Sequence, residues 1–451
     1  MHTASLSIST SDTQKMERRR KVIVSSFIGT VLEWYDFYIY GTAATIVFGA
    51  LFFPNLDPTS GMLASFAAYG IGFFLKPVGG VILSRFGDTI GRKKVMVVSL
   101  VTMGLATGSV GLLPTYNEIG VWAPILLVFL RLVQSIGAGA EYGGALTMIA
   151  EFSGKQKRGF LASLPALGVS LGILLGTGMF AALSTMQQEA FMAWGWRIPF
   201  LIGFTLAAVG LYMRLQAQET PAFEQLKQAD RILRSPFTHV LKHEWRRLVI
   251  AAGARSAEAV GAQLFNVFAI AYCTKTLGMA PSVGLTGVMA ANFIGLLVIP
   301  IGGLLSDRFG RKQVFLPSLI FLAAFAFPFF WLLDTKQPML VLVAFVLAYG
   351  FGVKMIFATS GAYLTELFDV RTRSTGVTFA RTISDPIAGM TPLIATALYA
   401  WSGAYWSVAL FLIGFVGLAF ACVAIGPETR TVEMADFADD SAGAVAAKRR
   451  R

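Results

Sequence analysis

"GDTIGRKK" occupies residues 87–94, and "SDRFGRKQ" answers it at 306–313. Asp88 matches Asp307, Gly91 matches Gly310 and Arg92 matches Arg311, all at an offset of 219 residues. Each copy follows a long apolar run. Further on, Glu151 precedes Arg158 by seven residues, and Glu366 precedes Arg373 by the same seven. "ETP" (219–221) and "PET" (427–429) then close the two halves. Three correspondences in the same order mark an internal duplication.

The composition says where such a duplicated chain must live. The 451 residues are 55% hydrophobic and 14% charged, against roughly 25% charged in a soluble chain. Apolar runs long enough to cross a bilayer core of about 30 Å recur to the end. Hydropathy and helix breakers place twelve spans, at about 22–50, 61–84, 95–113, 124–150, 160–184, 196–216, 248–275, 283–305, 314–333, 339–366, 374–400 and 404–426. The first run is too long for a signal-peptide core and lacks a small-residue cleavage site, so it reads as a retained span.

The basic residues fix the orientation. Of 37 Lys and Arg, 29 lie in the tails and the even-numbered connections, which puts both termini in the cytoplasm. The net charge of +12 is then a product of topology, and nucleic acid is not an expected partner. The chain divides into a cytoplasmic tail (1–21), a six-helix bundle (22–216), a cytoplasmic linker (217–247), a second six-helix bundle (248–426) and a cytoplasmic tail (427–451). Residues 1–14 and 432–451 read as disordered. Cys273 and Cys422 lie in spans and read as core residues. His239 and His243 read as part of a solvated linker helix. No metal or cofactor is expected: GxxxxGK[ST] and HExxH are absent, and all three histidines lie outside the spans. An enzyme is excluded on the same grounds.

"GDTIGRKK" and "SDRFGRKQ" resemble the two copies of the loop motif of the major facilitator superfamily. "RLVQSIGAG" (131–139) resembles its fourth-span motif. "LEWYDFYIYG", "LLPTYNEIGVWAPILLVFLR" and "WGWRIPF" resemble the metabolite:proton symporter family within it, the group that holds shikimate-, oxoglutarate- and dicarboxylate-type permeases. The likeness runs through nearly the whole chain. Lys76 stands where that family often carries Arg. The resemblance implies an all-α membrane protein, two six-helix bundles rocking around a central cavity, in the bacterial inner membrane.

Ten charges fall inside the spans, and each would cost roughly 2.5–3.5 kcal/mol facing lipid. Arg255 and Glu258 are spaced i,i+3, and Arg381 and Asp385 i,i+4, so each couple can pair along its own helix. Lys76, Arg131, Glu141 and Lys354 have no opposite charge within one turn and need a partner elsewhere. Glu33 and Asp36 are like-charged on one face of the first span. Two close carboxylates cannot both ionise cheaply, so the pair reads as a proton-carrying site with Arg131 and Glu141 as companions. Lys76, Lys354, Arg381, Asp385, Arg255 and Glu258 read as substrate-binding. Asp88, Gly91, Arg92, Asp307, Gly310 and Arg311, with Glu151, Arg158, Glu366 and Arg373, read as a cytoplasmic gate in which an Asp caps a facing helix and pairs with an Arg. The expected function is proton-coupled uptake of a small organic anion, with the bilayer, protons and substrate as partners and a monomer as the working unit. Proton-driven efflux and symport of a zwitterionic osmolyte are the alternatives.

Overall fold

The computed structural model describes residues 10–90, 92–139, 146, 157–216, 236–368 and 372–431. Their regular structure is helical throughout. The long helices are α1 (Thr10–Ile46), α2 (Pro58–Ile90), α3 (Arg92–Gly111), α4 (Trp122–Ala138), α5 (Arg158–Leu183), α6 (Ile198–Gln216), α7 (Trp245–Gln263, prolonged to residue 276), α8 (Pro281–Phe309), α9 (Arg311–Asp334), α10 (Pro338–Leu367), α11 (Arg373–Ser402) and α12 (Trp406–Ile425). Each apolar stretch found in the sequence overlaps one of them. Helix α1 begins at Thr10, so residues 10–14, read as disordered, are helical.

Among the described residues, seven helices are long and apolar enough to cross a membrane: α2, α5, α6, α8, α9, α10 and α12. The others fall short for identifiable reasons. Helices α3 and α4 have apolar segments shorter than 18 residues. Helices α1, α7 and α11 carry the buried charges, which lower their hydropathy. Three of the helices that look least like spans, α1, α7 and α11, are thus among those that line the polar centre.

Packing follows the duplication. In the first half α1 lies on α5 and α6, α3 on α4 and α6, and α2 on α4. In the second half α7 lies on α11 and α12, α9 on α12, and α8 on α10. The halves meet along α5 with α8 and α10, along α2 with α11, and where α1 crosses α7. Small residues let the backbones approach. A Cβ at Gly172 of α5 would lie 2.5 Å from the Val31 carbonyl oxygen of α1, and one at Gly70 of α2 would lie 2.8 Å from the Gly389 carbonyl oxygen of α11.

Two features of the backbone stand out. Helices α7 and α10 leave α-helical register, with π-helical turns at Leu264–Phe268, Tyr272–Thr276 and Val346–Val353. Such turns are uncommon and concentrate at functional sites. Also, α8 runs into α9 with a single residue between them, Gly310, at φ 116° and ψ 158°. Only glycine takes that conformation without strain, which accounts for the glycine of the repeated motif.

A candidate charge-lined transport site

Between the halves lies a small cavity lined by Glu33 and Trp34 of α1, Lys76 of α2, Ala138 of α4 and Gly139 beyond it, Arg255 of α7, and Thr378, Arg381, Thr382 and Asp385 of α11. Its open volume is about 30 Å³, room for one or two waters. Every charge on its wall is at least nine-tenths buried.

The ions form a chain across both halves. Lys76 Nζ lies 3.6 Å from Glu33 Oε1 and 4.0 Å from Asp385 Oδ2. Asp385 Oδ1 accepts a 2.7 Å hydrogen bond from Arg255. Arg255 Nε is 3.9 Å from Glu258 Oε1, and Arg381 is 3.7 Å from the same oxygen. Ser360 of α10 donates to Glu258 Oε2 at 2.6 Å. Arg381 and Asp385, four apart on α11, take their closest described ion contacts on other helices. Asp385 turns to Arg255 and Lys76, and Arg381 turns to Glu258. The cross-helix partners win because they bind several helices together, where an i,i+4 pair would satisfy only one. Lys76 also sits over aromatic rings, 3.7 Å from the Phe37 centroid and 5.1 Å from that of Phe73.

Proline marks this site. Lys76 precedes Pro77 inside α2, and Asp385 precedes Pro386 inside α11. Each proline removes a backbone donor, leaving a carbonyl one turn earlier without its helical bond. Charge followed by proline within a span was a usable signal.

The other residues expected at a proton site spread out. Glu33 faces the cavity. Asp36 is buried but does not line it; it lies toward α6, where a Cβ at Gly203 would be 3.9 Å from its Oδ1. Arg131 is fully buried in an aromatic box, its guanidinium 4.4 Å from the Phe37 centroid, 4.6 Å from Tyr40 and 4.9 Å from Tyr69. It donates to the Tyr69 carbonyl at 3.2 Å and to Gln134, which donates to Thr107 at 2.6 Å. Glu141 lies outside the described residues.

Lys354 is separate again. It is absent from the cavity wall, and its ammonium donates to Ser170 of α5 at 2.8 Å and to Asn292 of α8 at 2.9 Å. Ser170 and Asn292 escaped the sequence reading, although an isolated Asn in an apolar span deserved notice.

A second cluster holds the far end of α5. Asp307 accepts from the backbone N–H groups of Gly159 (2.7 Å) and Phe160 (2.9 Å), at the first turn of α5, and from Arg311 (2.9 Å). Arg311 also forks onto Glu366, at 3.1 and 2.9 Å. Glu366 lies 3.4 Å from Arg158 of the first half and accepts from Thr429 at 2.7 Å. Arg373 donates to the Thr365 carbonyl at 2.9 Å. Glu428, beyond α12, accepts from the backbone of Arg311 and Lys312 at the start of α9. Its partial burial opposes ionisation, but these N–H groups and that of Arg430 hold its carboxyl below the ordinary range. Gly91, the side chains of Asp88 and Arg92, and Glu151 lie outside the described residues.

A duplicated helical bundle with a charge-lined centre is the build of a membrane transporter. The Major Facilitator Superfamily model matches residues 26–389, and again 252–440. The chain belongs to that superfamily, and it is a transporter, not an enzyme. It is 35% identical over 407 residues to the "Shikimate transporter" of Escherichia coli K12, covering 89% of this chain and 93% of that one. It is 37% identical over 420 residues to the "Inner membrane metabolite transport protein YhjE" of the same strain, covering 91% and 95%. The "Glycine betaine/proline/ectoine/pipecolic acid transporter OusA" of Dickeya dadantii is 34% identical over 413 residues, covering 89% and 82%. Among solved structures, the proton:xylose symporter XylE bound to 6-bromo-6-deoxy-D-glucose matches with a TM-score of 0.72 at 16% identity, covering 93% of this chain and 98% of that one. That likeness is one of fold.

Proposed function

We propose that the protein is a proton-coupled symporter that takes up a small organic anion by alternating access, with twelve spans and both termini on the cytoplasmic side of a bacterial inner membrane. Charge balance in the central network carries the reading. Among the described residues, Lys76, Arg255 and Arg381 face Glu33, Asp385 and Glu258, three charges of each sign. An incoming carboxylate would leave it one charge too negative, in surroundings where an unpaired charge costs several kcal/mol. Protonating one acid restores the balance. Glu33 is the acid suited to this. It lines the cavity, and its contact with Lys76 is long, at 3.6 Å. A proton on Glu33 would free Lys76 for the substrate carboxylate. Anion and proton would then enter together without net charge transfer.

The names of the relatives favour a second reading, a zwitterion. A zwitterion brings both charges and leaves the balance untouched, so it would need no proton on Glu33. Labelled shikimate and labelled glycine betaine, supplied to proteoliposomes with an acidic exterior, separate the two. Accumulation of the carboxylate driven by the pH gradient is expected. Gradient-independent entry of glycine betaine, with no uptake of shikimate or of a panel of other organic acids, would overturn the anion reading. Efflux from loaded vesicles driven by the same acidic exterior would identify a proton-driven exporter.

A further inference from the structure

The linker helix Pro236–His243 is pinned on one face and open on the other. Phe237 meets Phe379 of α11 edge-on, 4.7 Å between ring centroids, and Val240 is fully buried. His239, Lys242 and His243 are exposed, and the two imidazoles stack at 4.6 Å. The helix stops at Glu244, which leaves helical geometry at φ −120° and ψ 17°, and α7 begins on Trp245. Glu244 is buried and accepts from Thr372, the residue before α11, at 2.9 Å. The corner so formed holds an open basin of about 560 Å³, lined by His239, His243, Glu244, Trp245, Arg246 and Arg247. Among these residues the one acid, Glu244, is committed to Thr372 and, at 3.6 Å, to Arg247. Arg246 lies against the Trp245 ring, 5.5 Å from its centroid. Trp245 is 53% exposed and Val249, one turn further along α7, is 55% exposed. An exposed Trp where a span begins, with an exposed aliphatic residue one turn deeper, is the pattern of the headgroup level of a bilayer.

We propose that this basin seats the phosphate of an anionic phospholipid of the cytoplasmic leaflet. It rests on the topology given above, with both termini on the cytoplasmic side. Arg246 and Arg247 supply the charge. His239 and His243 supply N–H donors, which an imidazole offers whether neutral or protonated. Trp245 and Val249 lie along the lipid's apolar part. Basic pockets beside spans on the cytoplasmic side draw anionic headgroups in this way. A zwitterionic headgroup would bring its own cation to a basin that is already basic. A seated lipid would join the linker helix and α7 at the point where Glu244 holds the start of α11. Those two spans carry Arg255, Glu258, Arg381 and Asp385 of the central network.

The test is made in detergent and without substrate, so it depends neither on topology nor on transport, and its failure is separable from theirs. Purified full-length protein is titrated with phosphatidylglycerol, and with phosphatidylcholine as the zwitterionic comparison. Bound lipid is counted by native mass spectrometry. The parent protein should retain phosphatidylglycerol in preference to phosphatidylcholine. Arg246→Gln should weaken the tightest phosphatidylglycerol site by roughly fivefold, the attraction of about one basic residue. Replacing His239 and His243 together by Ala should weaken it further. Arg308→Gln removes the same charge at another exposed position and should leave it unchanged. Equal retention of the two lipids would overturn the proposal. So would an equal loss in Arg308→Gln and Arg246→Gln, the mark of diffuse attraction. Full displacement of the lipid by glycerol phosphate would also overturn it, and would identify a site for free phosphate. If the histidine variant does not fold, Arg246→Gln decides alone.

Discussion

The central network and the cluster around Arg311 use the same residue types to opposite effect. At Arg311 the contacts are short. Asp307, Glu366 and Glu428 each accept several hydrogen bonds at 2.7–3.1 Å, many from backbone or a forked guanidinium. In the centre most ion contacts lie at 3.6–4.0 Å, and Lys76 leans on an aromatic face. Bidentate, backbone-anchored pairs fix geometry. Long pairs between flexible side chains hold charge in place while leaving it exchangeable. If one cluster is a lock and the other a binding site, as proposed, contact distance separates them, although both are buried clusters of Arg, Lys, Asp and Glu.

Substitutions can break this contrast, beginning with the largest effect. Glu33→Gln should abolish gradient-driven accumulation and leave exchange of substrate across the membrane intact. Comparison of net uptake with counterflow checks it, and Asp36→Asn, off the cavity wall, should do less. Lys76→Met should weaken substrate binding by roughly tenfold or more, the worth of a charge-assisted bond of about 1.5–3 kcal/mol. Equilibrium binding reads this directly; an unchanged Kd with altered rates would move Lys76 from site to scaffold. Asp307→Ala should slow transport several-fold while Kd moves by no more than a few-fold, because the cap on α5 and the pair with Arg311 are lost away from the central cavity. Glu428→Gln should have the smallest effect, a modest fall in thermal stability near neutral pH. The depressed pKa sets the sign. The contribution of Glu428 is full above the ordinary carboxylate pKa and is lost as pH falls through its lower folded value. Melting curves of the variant and the parent should therefore converge in acid.

The residues differ in how far the sequence announced them. Asp307, Gly310 and Arg311 were legible because duplication repeats them, and Gly310 because its φ of 116° demands glycine. The buried charges were legible because hydropathy makes them costly. Their partners were not. Spacing along α11 pointed Asp385 at Arg381, but the carboxylate is held by Arg255 and Lys76, and helix spacing carries no information about neighbouring helices. Glu33 and Asp36 lie within one turn of each other, yet only Glu33 reaches the cavity, since residues three apart differ in direction by about 60°. Ser170 was missed because a serine barely changes a hydropathy profile, and Asn292 because only charged residues were sought within the spans. The π-helical turns depend on tertiary packing and leave no local signature.

The cavity of about 30 Å³ has a consequence for affinity. An organic acid the size of shikimate needs more room than this, so on the alternating-access reading it binds a wider arrangement that is a fraction of the population. The measured dissociation constant is then the intrinsic one divided by that fraction. If the cluster around Arg311 stabilises the narrow arrangement, as the gate reading proposes, weakening it would raise the fraction. Slower variants of that cluster would then bind substrate somewhat more tightly than the parent protein.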